Sequence, residues 1–317
     1  MKVNISMYGI KLLGPGQAYY DGKAIAGFPG QQHCLLFYYL LLNRHTPHTR
    51  EQVAAVFWSD SPSQVARKNL RNSLWRLSQA FQSAGADVED FVTIEEDYIA
   101  FTNPDACRLD IDEFEAAARW SVEHEDQDLS PEQEAVLEAA VQLYRGDLLE
   151  GVYEDWCLYE RERLRLAFLN MLIRLVDHHS RKGNYARGLE YGQRILLLDP
   201  TREKVHRQMM MIHWLAGDRE AALLQYQSFC KVLETELGLK PVQETQHLYE
   251  TIRRSSSAPN SGPAHDSGNL GSNTDRLASP PLKEMLQKLH FLEMIVEQTN
   301  TELHLLEQMI HQVLEAK

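Results

Sequence analysis

The 317-residue sequence contains no CxxC pair; its four cysteines, Cys34, Cys107, Cys157 and Cys230, are scattered. That spacing excludes a disulfide framework and a zinc cage, and it fits a reducing compartment. No run of about 18 apolar residues occurs, and the apolar part of the opening MKVNISMYGIKLLGPG is too short for a signal peptide. A soluble, cytoplasmic protein without membrane attachment is expected. Positive charge is also scarce. Thirty-two Lys+Arg against 45 Asp+Glu leave a net −13, which excludes a uniformly basic coat for nucleic acid but not a local patch.

Catalytic signatures are missing as well. Gly14-Pro15-Gly16 lacks the Lys-Ser/Thr and the glycine spacing of a phosphate loop, and there is no HExxH. His178 and His179 are adjacent and are expected on different sides of a helix. His206 and His213, like His304 and His311, are seven apart. Without carboxylate or cysteine partners at ligand spacing, these read as exposed surface histidines rather than a metal site. The group Trp156, Tyr159, Glu160 and Arg161 reads as packing between helices. No enzyme, cofactor or metal is expected.

Charge is unevenly distributed. Residues 1–110 carry a net −1, and the remaining 207 carry −12. Within the first part, residues 44–78 hold Arg44, Arg50, Arg67, Lys68, Arg71 and Arg76 against only Glu51 and Asp60. In an acidic protein this is what an electrostatic footprint for phosphate looks like, although a solvated helix face would show the same charges.

The pattern of residues 2–28, cut by turn signals at Gly14-Pro15-Gly16 and Asp21-Gly22, predicts short antiparallel strands. An apolar helix is expected over 31–43. Thr49, with Gln52 three residues on, predicts a capped second helix. Pro62 should open a third, with Ser61 as its N-cap. At 100° per residue that third helix, 62–82, separates into two faces. Ala66, Leu70, Ser73, Leu74, Leu77, Ala80 and Phe81 share one. Gln64, Arg67, Lys68, Arg71, Asn72, Trp75, Arg76 and Gln79 share the other. Guanidinium and amide groups are what base edges in a major groove accept, and the short preceding turn makes a helix-turn-helix. Residues 91–94 and 98–101 then flank Glu95-Glu96-Asp97 as a hairpin in the position of a wing. No Lys or Arg occurs from 77 to 107, while Asp87, Glu89, Asp90, Glu95, Glu96 and Asp97 crowd this region. An acidic wing repels phosphate. Either it stays off the DNA backbone, or binding is weak and needs a dimer, or DNA binding is lost.

From about 111 to 254 the pattern is helical. Gly183 and Gly217, and the pairs Gly188-Leu189 and Ala222-Leu223, recur at an offset of 34 residues, the tetratricopeptide period. Residues 255–281 are a Gly/Ser/Pro-rich linker that would span roughly 30 Å as a coil. From 282 to 317 strict heptads resume. Leu282, Leu289, Val296, Leu303 and Ile310 occupy one seam position, and Met285, Leu292, Thr299, Leu306 and Val313 the other. A seam of this kind needs a partner helix. A homodimer through this coil is expected, with folding back onto the chain's own repeats as the alternative.

The order strands, three helices, hairpin resembles an OmpR-type winged helix. Trp58, Asp60, Ala66-Arg67, Leu70, Leu74 and Leu77 resemble the reading-helix pattern of the bacterial transcriptional activator domain family, which includes the antibiotic regulatory proteins. TNPDACRLDIDEFEAA (102–117) is similar to that family's junction between its DNA-binding and activator domains, and LYRGDLLEGVYEDWCLYERERLRLAFLNML (143–172) to a stretch of the activator domain. The resemblance covers about residues 3–254. A mainly α fold is expected: a winged helix-turn-helix at 1–105, a tetratricopeptide-like domain at 106–254, a linker at 255–281 and a coiled coil at 282–317. Arg67, Lys68, Arg71 and Asn72 are expected to contact base edges, and Thr49, Arg50 and Arg76 phosphates. The resemblance implies transcription activation through the repeat domain, by contact with RNA polymerase or another protein. A protein-interaction scaffold whose winged helix has lost DNA is the alternative.

Overall fold

The computed structural model describes residues 8–26, 31–102, 107–125 and 127–255. All of them fall in one compact unit. The linker from 256 onward and the heptad segment, with Leu289, Leu292, Val296, Leu303, Leu306 and Ile310, lie outside the described residues.

The N-terminal strands form where the turn signals predict. β1 (Tyr8–Lys11) pairs antiparallel with β2 (Gln17–Tyr20), and β2 with β3 (Lys23–Ala24). Asp21 and Gly22 both take positive φ in the tight turn between β2 and β3. The helix α1 (Gln32–Leu42) follows, buried along Cys34, Leu36, Phe37, Tyr38, Leu40 and Leu41. Next comes the two-residue strand β4 (His48–Thr49), then α2 (Arg50–Phe57) and α3 (Ser63–Ser83). The Thr49–Gln52 capping box is present: Gln52 N donates to Thr49 Oγ1 at 3.2 Å, and Thr49 N to Gln52 Oε1 at 2.9 Å.

The start of α3 departs from expectation by one residue. Pro62 occupies the N-cap position rather than the first helical one, and Ser61 does not cap. Pro62 keeps an extended ψ of 143°. Its carbonyl takes the first helical bonds, from Val65 N at 2.8 Å and Ala66 N at 3.0 Å. Proline has no side-chain oxygen, so this helix starts without a side-chain cap.

After α3 a 3-10 turn at 88–90 leads into the hairpin β5 (Val92–Ile94) and β6 (Tyr98–Phe101). β4 adds to β6, giving the sheet order β4-β6-β5. Asp87, Glu89 and Asp90 therefore belong to this turn and not to the hairpin tip. Asp90 accepts a bond from Tyr8 Oη at 2.6 Å, tying the turn to β1.

One strand was not anticipated. β7 (Cys107–Leu109) runs parallel to β1 and completes the order β3-β2-β1-β7. It ends directly at α4 (Asp110–Glu123), whose first residue turns back onto the sheet. The buried Asp110 carboxylate accepts Leu12 N at 2.8 Å and Leu13 N at 3.1 Å. The loop at 147–150 returns to the same place: Leu149 N donates to Leu12 O at 3.0 Å, and Gly14 N to Asp147 O at 3.1 Å. The strand-and-helix part and the helical part thus share backbone hydrogen bonds.

The rest is helical, through α5 (Pro131–Leu143), α6 (Asp155–Arg181), α7 (Tyr185–Leu198), α8 (Glu203–Leu215), α9 (Arg219–Leu237) and α10 (Gln243–Arg254). α6 packs on α7, α7 on α8 and α8 on α9. Gly183 and Gly217 sit in equivalent tight turns, between α6 and α7 and between α8 and α9, both with positive φ. At Gly188 a Cβ would approach Ile212 Cδ1 to 3.3 Å, so the absent side chain permits the α7–α8 contact.

The histidines overturn their expectation. His178, His179 and His206 are buried, not surface groups. The long helix α6 is covered by α5 on one side and α7 on the other, so both adjacent positions, 178 and 179, are enclosed. His178 Nε2 lies 2.9 Å from Glu134 Oε2, and His179 Nε2 3.3 Å from Glu138 Oε1. Lys182 Nζ, 3.0 Å from Glu134, and Arg187 Nη2, 2.5 Å from Glu138, complete the network, with Tyr191 Oη donating to Glu138 at 2.8 Å. The His178 and Lys182 bonds hold the Glu134 carboxyl down to about 2. Burial pushes Glu138 up, but the bonds from Tyr191 and Arg187 outweigh it and leave it below the usual range. Burial keeps His179 below the usual imidazole value.

Two predictions follow from these contacts. Asp110→Ala strands two buried amide groups and should cost about 2–4 kcal/mol in urea unfolding. Glu134 titrates at about 2 in the folded chain against 4.5 ordinarily, so its stabilisation is complete above about 4.5 and is lost as pH falls toward 2. Thermal melts across that range should show the loss, and Glu134→Gln should be less stable at neutral pH but flatter in acid.

Candidate nucleic-acid interface

α3 lies on the core through Ala66, Leu70, Ser73, Leu74, Leu77 and Phe81, all buried. Its C-terminal half is locked by aromatic contacts. Phe81 meets Phe37 at 5.2 Å and Phe91 at 5.6 Å between centroids, and Phe91 meets Tyr8 at 4.8 Å. One helix face is thereby committed to α1, the 88–90 turn and the sheets. Gln64, Arg67, Lys68, Arg71, Asn72, Trp75, Arg76 and Gln79 are all exposed. The separation of faces read from the sequence is the one observed; only Ala80 is half-buried rather than fully covered.

The seven residues singled out for DNA are not equally free. Lys68, Arg71 and Asn72 make no side-chain hydrogen bond or ion pair with another described residue. Arg67 pairs with Glu51 in the first turn of α2, with both side chains well exposed. Such a pair contributes little stability and leaves Arg67 available to a stronger anion. Arg76 is exposed, and its charge helps depress the buried His33 imidazole, after desolvation. Thr49 spends its hydroxyl on the cap of α2. Arg50 is half-buried and donates through Nη1 to Glu95 O at 2.8 Å, while its backbone N–H donates to Asp97 O at 3.1 Å. The exposed tip Glu95-Glu96-Asp97 therefore sits against the N-terminus of α2, through backbone carbonyls rather than carboxylates.

Arg44, counted in the basic stretch, does not belong to the surface. Its side chain is buried, donates to Leu41 O at 3.0 Å and pairs with Asp112 of α4. Arg161 and Arg174 are likewise turned inward. Arg161 donates to the carbonyls of Leu148, Leu149 and Val152, and Arg174 to those of Ser121, His124 and Gln127. Trp156 packs on Tyr39 and Phe57, at 5.6 and 6.1 Å, so it joins α6 to α1 and α2 rather than to other helices of the second part. Tyr159, expected in the same packing, is exposed.

Among the described residues, Glu134, Glu138 and His179 form the group able to hold a metal ion, with ligand atoms within 4.8 Å of one another. The same carboxylates already bond Lys182 and Arg187. Sequence reasoning missed this network because its members lie on three helices, up to 53 residues apart. No described helix is long and apolar enough to cross a membrane.

Comparison with known proteins agrees with this arrangement. Residues 109–253 match the family model of the bacterial transcriptional activator domain. The transcriptional regulatory protein MoaR1 of Mycobacterium tuberculosis is 24% identical over 246 residues, covering 77% of this chain and 78% of that protein. The regulatory protein AfsR of Streptomyces coelicolor is 25% identical over 241 residues, 76% of this chain but only 24% of its own length. Among solved structures, Mycobacterium tuberculosis EmbR in complex with a low-affinity phosphopeptide superposes with a TM-score of 0.59 at 20% identity. That match covers 78% of this chain and 65% of EmbR, and at such identity it speaks for the fold. Residues 109–253 thus match a bacterial transcriptional activator domain, and the curated relatives the chain resembles are transcriptional regulators.

Proposed function

We propose that this regulator binds double-stranded DNA by laying α3 in the major groove. The carrying observation is the exposed face of α3, where Lys68, Arg71 and Asn72 are unengaged while Arg44, Arg161 and Arg174 are consumed by the fold. Arg67, Lys68, Arg71 and Asn72 would meet base edges, with Arg67 released from Glu51. Arg76 would meet phosphate. Thr49 and Arg50 would contribute chiefly through the N-terminus of α2, since their side chains already have partners. The helical domain would contact RNA polymerase or another protein and act as an activator, in the cytoplasm. The heptads at 282–317 would pair two chains and raise the effective concentration of the two reading heads on paired half-sites. No reaction is assigned to the chain.

A second reading has one observation in its favour. Glu95, Glu96 and Asp97 are exposed beside the N-terminus of α2, where a phosphate would lie. A chain repelled there would serve as a protein-interaction scaffold with a silent winged helix.

Retention of the full chain on mixed-sequence duplex DNA separates the two. Binding should fall steeply, by a factor of about ten or more, between 50 and 200 mM salt. Lys68→Glu combined with Arg71→Glu should abolish it. No retention of the wild-type chain at low salt favours the scaffold. In light scattering, deletion of 282–317 should halve the mass; an unchanged mass removes the coil from the dimer.

A further inference from the structure

Trp75 is 63% exposed, in the middle of the α3 face that carries Lys68, Arg71, Asn72 and Gln79. It makes no hydrogen bond or ring contact with another described residue. At 100° per residue, the buried stripe of α3 defines a mean inward direction. Lys68 and Gln79 point within about 10° of its opposite, and Trp75 within about 30°. Arg71 and Arg76 flank that direction by about 70° on opposite sides, and Arg67 lies further out, at the edge of the face. A helix entering a groove with this face forward puts the indole against the base pairs and the flanking cations toward the walls. The ring is the largest side chain on that face, so it limits how deeply the helix sits.

We infer that Trp75 is a specificity-determining residue that packs its indole on the C5-methyl group of thymine in the major groove. The inference rests on the DNA-binding reading above. The physical basis is the choice of surfaces inside that groove. Base edges offer donors and acceptors to Lys68, Arg71 and Asn72, and thymine methyls offer the apolar surface there. A large apolar ring held among phosphates and polar edges would be poorly solvated on binding, and against a methyl it gains buried area instead. Asn72 and Arg71, three and four residues before Trp75, share its stripe. An axial rise of about 1.5 Å per residue puts Trp75 roughly one to two base-pair steps further along the groove than these two. The expected recognition is therefore a thymine within about two pairs of the adenine or guanine read by Asn72 or Arg71.

The test uses the full chain and duplexes that the wild-type chain itself selects from a random pool. Each thymine is replaced in turn by deoxyuridine, which removes the methyl group and leaves the pairing edge intact. At one or two positions binding should weaken about three- to fivefold, as the loss of one buried methyl requires. Trp75→Ala should weaken binding about tenfold or more and erase the dependence on that methyl. Trp75→Phe should restore part of both. Because Trp75 is exposed, its variants should melt with the wild type, and a melt confirms that they fold. Should Trp75→Ala keep the wild-type deoxyuridine profile, or should no position respond in the wild type, the inference fails while DNA binding stands. Should the wild-type chain select no duplex at all, both fail together.

Discussion

The buried stripe of α3 is the constraint on which the arrangement depends. Leu70, Leu74, Leu77 and Phe81 are removed from water against α1, β1 and the residues leading into β5. A helix with 3.6 residues per turn cannot bury that stripe without turning Lys68, Asn72, Trp75 and Gln79 outward. Each large apolar side chain buried there contributes about 1.5–3 kcal/mol, far more than an exposed ion pair such as Arg67–Glu51. Core packing sets the orientation of the exposed face, and the charges on it merely use the orientation they are given.

A second constraint joins the two halves. Asp110 follows β7, begins α4 and accepts hydrogen bonds from two backbone amides of the chain after β1. Arg44 reaches α4 from the end of α1, and Trp156 reaches α1 and α2 from the start of α6. These links are of three kinds: a buried backbone-to-carboxylate pair, an ion pair and an aromatic edge. They make the position of α3 a property of the helical domain as well. Whatever binds the helical domain is therefore held at a set geometry relative to the exposed face of α3.

The cationic groups divide sharply between structural and available ones. Arginines turned onto carbonyls, as Arg161 and Arg174 are, have their N–H donors taken up by the fold and are not available to a partner. What remains outward on α3 is a small set, and the acidic tip of the hairpin lies at the N-terminus of α2.

Much of this was legible in the residues themselves. The two faces of α3, the Thr49 cap, the hairpin and the 34-residue spacing are local or periodic features, and periodicity survives in one dimension. Other features were not legible. Nothing in the sequence distinguished Arg44, which is buried, from Lys68, which is free, because burial depends on α4 arriving 68 residues later. The same holds for His178 and His179, which looked like surface groups until α5 and α7 closed over them. β7 is three residues long and acquires its meaning only beside β1. Local pattern determined which segments are helices and which face each must bury. Contacts between residues distant in the chain decided which charged groups are neutralised inside and which remain for a partner, since the cost of burying a charge is set by neighbours that only the folded chain supplies.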